Sequence, residues 1–167
     1  AVEVLEKRGD FKLTQALGSV AEQIQGCPNV GSLLDPESEC VPEVTLKATV
    51  KEAAEMMKEY HTTAVLVLGA DDKVAGILTT KDIVLRVLAA EFDPLITSAV
   101  RAMTPHPDCV TPEATILDAL QKLKVGRYLH LPVLSKQGQP VGLVDVMTLT
   151  ISMLTYLINK QGQTGNA

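Results

Sequence analysis

An internal repeat constrains the fold of this chain more than any other feature of its sequence. Residues 44–82 align without a gap on residues 110–148, and nine of the 39 aligned positions are identical. The apolar pattern is shared although the identity is low, which indicates one structural unit that occurs twice. A single unit of this length buries too little surface to be stable alone. The two units are therefore expected to pack together and share a core.

The first unit shows the order strand, helix, strand, strand, helix. After a short strand, apolar residues from Val50 onward lie on one face of a helix, and most charged residues lie elsewhere. Residues 62–68 and 74–79 have the composition of strands, and the sequence GADDK between them predicts a turn. A second helix is predicted from Lys81 onward.

The second unit repeats this order, with strands at 128–134 and 140–146 and a terminal helix that is predicted to end at residue 159. We therefore predict an α/β fold in which two pseudo-symmetric βαββα motifs pack through their sheets, with clefts where the motifs meet. The terminal helix is apolar on most sides, so we expect it to be buried, in part against another subunit.

The repeat divides the chain into four parts. We predict an N-terminal helix and connector over 1–40, a first motif over 41–98, a second motif over 99–159 and a flexible tail over 160–167. Within the first part, residues 13–24 have the periodicity of an amphipathic helix. Residues 26–43 and 93–108 are interrupted by Pro, Gly or acidic residues, which predicts extended connectors before each motif.

Composition and charge argue against several classes of function. The formal net charge is −5 and the basic residues form no stripe, which argues against nucleic acid or an anionic membrane as a partner. The most apolar segment, 146–158, is too short to span a membrane. Three cysteines without a CxxC spacing argue against a disulfide framework or a zinc site, and they favour a reducing compartment such as the cytoplasm.

Motifs for catalysis are absent from the sequence. It contains no GxSxG, no P-loop and no GxGxxG, and its three histidines lie on separate elements without the spacing of metal ligands. We therefore predict that the chain is not an enzyme, that it holds no metal and that it requires no cofactor.

The sequence GILTTKD, residues 76–82, is the strongest candidate for a functional site. Thr79 and Asp82 stand at the start of a helix with the spacing of a capping box, in which each side chain bonds the backbone N–H of the other residue. A carboxylate at this place also suits the adjacent hydroxyls of a ribose, because it accepts two charge-assisted hydrogen bonds. The spacing alone favours the cap, and the two roles are compatible.

The repeat, GILTTKD and the sequence LHLPV at 129–133 together resemble the cystathionine-β-synthase (CBS) domain, whose tandem pair is called a Bateman module. The resemblance extends from about residue 41 to residue 159. The segments AVLVLGADDKVAGILTTKDIVLRVL and LHLPVLSKQGQPVGLVDV are similar to those of CBS pairs that also carry a Phox–Bem-type interaction domain. This similarity implies an output domain elsewhere on a longer chain.

The resemblance implies a regulatory module that binds an adenosine-containing ligand, such as AMP, ADP, ATP or S-adenosylmethionine, in the cleft between the motifs. The family's Gly, Thr and Asp positions fall on Gly76, Thr79 and Asp82, with Asp82 on the ribose hydroxyls and Thr79 near the ribose or phosphate. The expected neighbours of adenine are Cys40, Val41, Pro42, Thr63, Ala64 and Ile77, and the expected neighbours of phosphate are Lys81, Arg127 and His130. The ordinary alternatives are a strand histidine at 130 and an exposed helix lysine at 81.

The second copy departs from the family pattern. Gly142 is kept, but Asp145 takes the threonine position and Thr148 takes the aspartate position. The carboxylate that would hold ribose is therefore missing from its place, and we predict one competent site, around the first motif.

Two alternatives remain open at this stage. One is a scaffold that binds no small molecule and forms a homodimer through apolar helices including 146–159. The other concerns the fold: a tandem ACT-type regulatory domain also combines short strands with two helices, but its repeat ends on a strand. No such strand is evident after residues 81–90.

Overall fold

The structure is a computed structural model that describes residues 26–34 and 41–164. The helix predicted at 13–24 and Cys40 therefore lie outside the described residues. In chain order the elements are a short 3-10 helix (Val30–Leu33), β1 (Glu43–Thr45), α1 (Val50–Glu59), β2 (Ala64–Leu68), β3 (Val74–Thr79), α2 (Thr80–Asp82) with a π-helical continuation (Ile83–Leu88), α3 (Ala99–Ala102), β4 (Thr104–Pro105), α4 (Ile116–Gly126), β5 (His130–Leu134), β6 (Pro140–Asp145) and α5 (Val146–Thr164). The predicted α/β fold is confirmed.

Strand pairing follows the repeat in both motifs. In the first motif β1 pairs with β2 in parallel, with Val44 opposite Val67. At the equivalent positions of the second motif, Val110 and Val133 form a parallel bridge. The antiparallel pairs β2–β3 and β5–β6 each carry a register shift at equivalent points. The gapless alignment made from the sequence therefore holds in three dimensions.

Threonine caps begin the first long helix of each motif. Thr49 Oγ1 accepts a hydrogen bond from the Glu52 backbone N–H at 3.2 Å, and Glu52 Oε2 accepts one from the Thr49 N–H at 2.7 Å, which completes a capping box. At α4, Thr115 Oγ1 accepts from the Asp118 N–H at 3.1 Å. Below these caps, apolar residues of each helix pack on the sheet of the same motif.

The two connectors cross, so that the segment before each motif packs on the other motif. Val30 is fully buried in the core of the second motif, and its backbone N–H donates to the Ala114 carbonyl at 2.8 Å. Ala99 is fully buried in the core of the first motif, and its N–H donates to the Ala48 carbonyl at 2.8 Å. The connectors are not extended throughout as predicted, because the 3-10 helix and α3 bury these side chains.

Strand β4 brings the connector between the motifs against the first sheet. Thr104 and Pro105 lie opposite Ile77 and Gly76 of β3. Glycine at 76 makes room for Met103, whose side chain would have to shift if a Cβ were present. Because the pairing is antiparallel, the chain after β4 runs toward the start of β3, and the His106 backbone N–H donates to the Ala75 carbonyl at 3.0 Å.

The terminal helix α5 departs from the prediction in two ways. It continues to Thr164 instead of ending at 159. Its inner side is buried through Leu149 and Met153, but its outer side is exposed, so the expectation of burial on most sides is wrong for the single chain. The exposed apolar residues of the outer side are Met147, Ile151, Leu154 and Ile158. Among the described residues, no helix is long and apolar enough to cross a membrane.

Candidate functional site

A cavity of about 840 Å³ opens between the two motifs at the end of β3. We call it the first cleft. Motif 1 contributes Thr63, Ile77, Thr79, Thr80, Lys81, Asp82, Leu85 and Arg86, the connector contributes Thr104, His106, Pro107 and Asp108, and motif 2 contributes Arg127, Tyr128, Leu129 and His130. A ligand in this cleft would contact both halves of the molecule.

Thr79 and Asp82 form the capping box that their spacing predicted. Asp82 Oδ2 accepts hydrogen bonds from the Thr79 backbone N–H at 3.0 Å and from Thr79 Oγ1 at 2.6 Å, and Thr79 Oγ1 accepts from the Asp82 N–H at 3.2 Å. Arg86 Nε lies 3.5 Å from the other oxygen, Oδ1, of Asp82. A carboxylate has more acceptor sites than these contacts use, so the cap leaves Asp82 able to accept from a ligand.

Arg86 is fixed by the connector that lines the cleft. Its Nη1 donates to the carbonyl oxygens of Ala102 and Met103 at 3.0 and 2.8 Å. Because Arg86 also reaches Asp82, it ties the first motif's helix to the chain segment that leads into the second motif. The side chains of Lys81 and Arg127, by contrast, make no hydrogen bond or ion pair within the described part of the chain. They are cations from different motifs that line the same cleft.

His130 links the two motifs across the inner wall of the first cleft. Its Nε2 lies 2.8 Å from Thr63 Oγ1. Burial lowers the pKa of His130, and the neighbouring Asp145 carboxylate opposes part of that shift. Both members of the His130–Thr63 pair also line a smaller cavity on the other side, so the pair forms a wall between two cavities.

The smaller cavity, which we call the second cleft, lies at the end of β6 and has a volume of about 310 Å³. Asp145 and His130 of motif 2 face Pro42, His61 and Thr63 of motif 1 across it. Its position is related to that of the first cleft by the repeat. The second cleft is much smaller, and it is lined mainly by neutral groups and one carboxylate.

At the second cleft the order of the two capping residues is reversed relative to the first, with Asp145 before Thr148. Asp145 Oδ1 accepts from the backbone N–H groups of Met147 and Thr148 at 2.7 and 2.9 Å, and Thr148 Oγ1 donates to Asp145 Oδ2 at 2.8 Å. Burial alone would raise the pKa of Asp145, but the hydrogen bonds from Thr148 and Met147 hold it below its usual value. The carboxylate is therefore bound to the start of its own helix.

The structure brings together seven of the twelve residues named from the sequence. Thr63, Ile77, Thr79, Lys81, Asp82, Arg127 and His130 line the first cleft. Gly76 and Ala64 are buried and are not among the lining residues. Val41 lines a separate depression, Pro42 lines the second cleft, and Cys40 lies outside the described residues.

Sequence reasoning missed the connector residues after β4 and the aromatic residue Tyr128. The repeat holds a signal for the connector residues, because 106–108 align on 40–42, the segment that was named for the first site. It holds none for Tyr128, which aligns on Thr62. The crossing of the connectors places 104–108 at the first cleft and Pro42 at the second. Among the described residues, no group of His, Cys, Asp and Glu side chains is arranged to hold a metal ion.

Two pseudo-symmetric α/β motifs with a cleft at the end of each hairpin define a tandem-repeat module. The chain belongs to the CBS-domain family, whose model matches residues 37–89 and 98–152. It is 38% identical over 113 residues to the CBS domain-containing protein CBSCBSPB3 of Arabidopsis thaliana. The match covers 68% of this chain but only 20% of that relative, so the chain spans about a fifth of the relative's length.

Solved structures of CBS proteins share the fold. A putative signal-transduction protein with CBS domains from Burkholderia ambifaria aligns with a TM-score of 0.69 and 27% identity, over 76% of this chain and 94% of that chain. A CBS domain protein from Pyrobaculum aerophilum, solved in complex with AMP, aligns with a TM-score of 0.68 and 20% identity, over 78% of this chain and 98% of that chain.

Proposed function

We propose that the protein is a regulatory module that binds an adenosine-containing ligand in the first cleft. The observation that carries this proposal is the cleft itself, where a carboxylate and cations from both motifs line one cavity of about 840 Å³. The AMP complex of the structurally similar Pyrobaculum aerophilum protein supports the choice of ligand. AMP, ADP, ATP and S-adenosylmethionine are the candidates.

Each part of the ligand has matching groups in the first cleft. Asp82 accepts hydrogen bonds from the ribose hydroxyls, because its oxygens keep acceptor sites that the cap does not use. Lys81 and Arg127 bind the phosphate from opposite motifs, with His130 nearby. Ile77 and Pro107 provide apolar contacts for adenine.

A ligand held by both motifs stabilises one relative arrangement of the two. Any regulation requires that the ligand bind one arrangement more tightly than another, and contacts from Lys81 and Arg127 to one phosphate provide such a difference. The response would pass to an output domain elsewhere on a longer cytoplasmic protein. The proposed role is regulatory, because a ligand that contacts both motifs can bias their relative arrangement.

Titration calorimetry with AMP, ADP, ATP and S-adenosylmethionine tests the proposal. Asp82→Ala should weaken binding by roughly tenfold or more, because a hydrogen bond to a charged group contributes about 1.5–3 kcal/mol. Thr148→Ala is the matched control, since it removes the equivalent side chain of the second motif and should leave the affinity unchanged. Absence of binding at millimolar ligand, or equal effects of the two substitutions, would rule the proposal out.

The exposed side of α5 favours a second role, in homodimer formation. Met147, Ile151, Leu154 and Ile158 follow each other at the spacing of a helix-packing seam, and each side chain is more than half exposed. The repeat adds Leu88 of the first motif, which is equivalent to Leu154 and is also exposed. A second copy of the chain would cover both apolar surfaces around a twofold axis.

Light scattering after size exclusion measures this assembly. The wild-type protein should be a dimer, and Leu154→Glu should convert it to a monomer, because the substitution places a charge in the apolar contact. Val125→Glu is the control, since Val125 is an exposed apolar residue of α4, on a different helix. A wild-type monomer at high concentration would contradict the dimer, and dissociation by the control substitution would contradict the placement of its interface on α5.

A further inference from the structure

The first cleft shares a wall with a second large cavity. A groove of about 810 Å³, which we call the outer groove, runs between α4, the start of the second motif and the turn after β5. Asp108 and Tyr128 line both the first cleft and the outer groove. The two spaces are therefore separated at this point by a single aromatic side chain and the carboxylate that contacts it.

Several features hold Tyr128 in this position. Its Oη donates a hydrogen bond to Asp108 Oδ2 at 2.7 Å. Its ring packs directly on Gly126, where a Cβ would collide with three ring atoms. Arg127 between them adopts the left-handed conformation, with φ of 56°, which turns the chain back on itself. Burial and the Asp108 carboxylate raise the pKa of Tyr128 to about 12.

The first motif lacks this arrangement, although its backbone is the same. His61, equivalent to Arg127, is also left-handed, with φ of 50°. Its neighbours are Tyr60 and Thr62, so the glycine that makes room for the ring and the aromatic residue itself are both absent from their positions. Pro42 stands where Asp108 does in the second motif. The wall is thus a property of these particular residues and not of the repeated fold.

We propose that Tyr128 determines the size of the ligand that the first cleft accepts, because its ring closes the cleft off from the outer groove. This inference rests on the proposed function of the first cleft. The ring closes one side of the first cleft, which has about 840 Å³, and its removal would open that side to the outer groove of about 810 Å³. Tyr128 thereby selects against ligands with a bulky extension on that side.

Competition between ligands of different size tests the inference. Relative to AMP, ATP is extended at the phosphate end and N6-benzyl-AMP at the adenine end. The affinities of all three are measured for the wild type, Tyr128→Ala and the control Tyr60→Ala. In Tyr128→Ala, the affinity of at least one extended ligand relative to AMP should rise roughly tenfold, the effect expected for relief of a steric clash in a pocket. In Tyr60→Ala the ratios should stay at their wild-type values.

The possible results separate this inference from the proposed function. Lack of AMP binding to every variant overturns the proposed function and this inference with it. Normal AMP binding with unchanged ratios in Tyr128→Ala overturns the role of Tyr128 alone. A similar gain in Tyr60→Ala also overturns it, because the gain would then reflect general loosening.

A measurement without ligand tests the contact between Tyr128 and Asp108. Tetranitromethane nitrates the phenolate form of tyrosine, and mass spectrometry of peptides distinguishes the sites. Tyr128 should react more slowly in the wild type than in Asp108→Ala, while Tyr60 and Tyr156 should react equally in both. Equal reactivity of Tyr128 in the two proteins would overturn the inference, because Asp108 would then not hold the ring.

Discussion

The two clefts occupy equivalent places in the repeat, yet they differ in size and in charge. The first cleft has about 840 Å³ and receives Lys81 and Arg127, whereas the second has about 310 Å³ and has Met147 and His61 at the equivalent positions. The strand register and the helix starts are the same in both. The repeated backbone therefore provides two potential sites, and a few side chains decide which one suits an anionic ligand.

The capping residues, too, support the fold in both motifs but place the carboxylate at different positions. Both helices that follow the hairpins begin with one Thr–Asp pair, but the first pair places the carboxylate at Asp82 and the second places it at Asp145. Either order satisfies the free backbone N–H groups of a helix start, so both orders support the fold. Of the two capping carboxylates, Asp82 lines the larger cleft and Asp145 lines the smaller one.

The largest expected effect is on the free energy of unfolding, and it tests whether the two motifs unfold together. Ile116→Ala should destabilise the protein by about 3 kcal/mol, because Ile116 is fully buried in the second core. Val50→Ala, at the equivalent site of the first core, removes fewer methyl groups and should cost less. Urea unfolding should show one transition for both variants, since the crossed connectors join the cores. Two transitions, with each substitution moving only one, would show that the motifs are independent.

A smaller effect is expected at the first helix of each motif. Thr49→Ala should cost about 1 kcal/mol, because it removes the side chain of a complete capping box. Thr115→Ala should cost less, because only one of the two reciprocal side chain to backbone bonds is present at α4. Thermal unfolding of the two variants measures the difference. A larger loss from Thr115→Ala would contradict the comparison of caps.

His130, which lies between the two clefts, should make the free energy of unfolding depend on pH. Burial lowers the pKa of His130 in the folded protein below the ordinary 6.5, so the unfolded chain takes up a proton first as the pH falls. The free energy of unfolding should therefore decrease as the pH drops below 6.5, until the folded protein is protonated as well. Urea unfolding at pH 7.5 and 5.5 should show a smaller change for His130→Gln than for the wild type. His61→Gln should keep the wild-type change, and equal behaviour of the two variants would remove His130 as the cause.

The smallest effect is expected from exchanging the two capping residues of the second motif. The double variant Asp145→Thr and Thr148→Asp restores the residue order of the first motif, but it adds neither volume nor cations to the second cleft. Calorimetry should still show one AMP per chain, with unchanged affinity. A second binding event would mean that the position of the carboxylate alone distinguishes the clefts.

Much of the fold was predictable because it depends on local patterns. The strand at 74–79, the turn before it and the cap formed by Thr79 and Asp82 were all evident from spacing, since apolar alternation and capping act over a few residues. The end of α5 was placed too early at 159, because polar residues after that point suit an exposed helix end as well as a tail.

The sequence by itself determined the repeat, the elements of each motif and the loss of the family's Thr–Asp order in the second copy. Only the tertiary structure decided which connector lies at which cleft, because the crossing depends on Val30 and Ala99 finding room in the core of the other motif. For the same reason Pro42 lies at the second cleft, while Asp108 and Tyr128 meet at the first. Contacts between residues far apart in the chain depend on how two cores fill their space, and no local pattern encodes that.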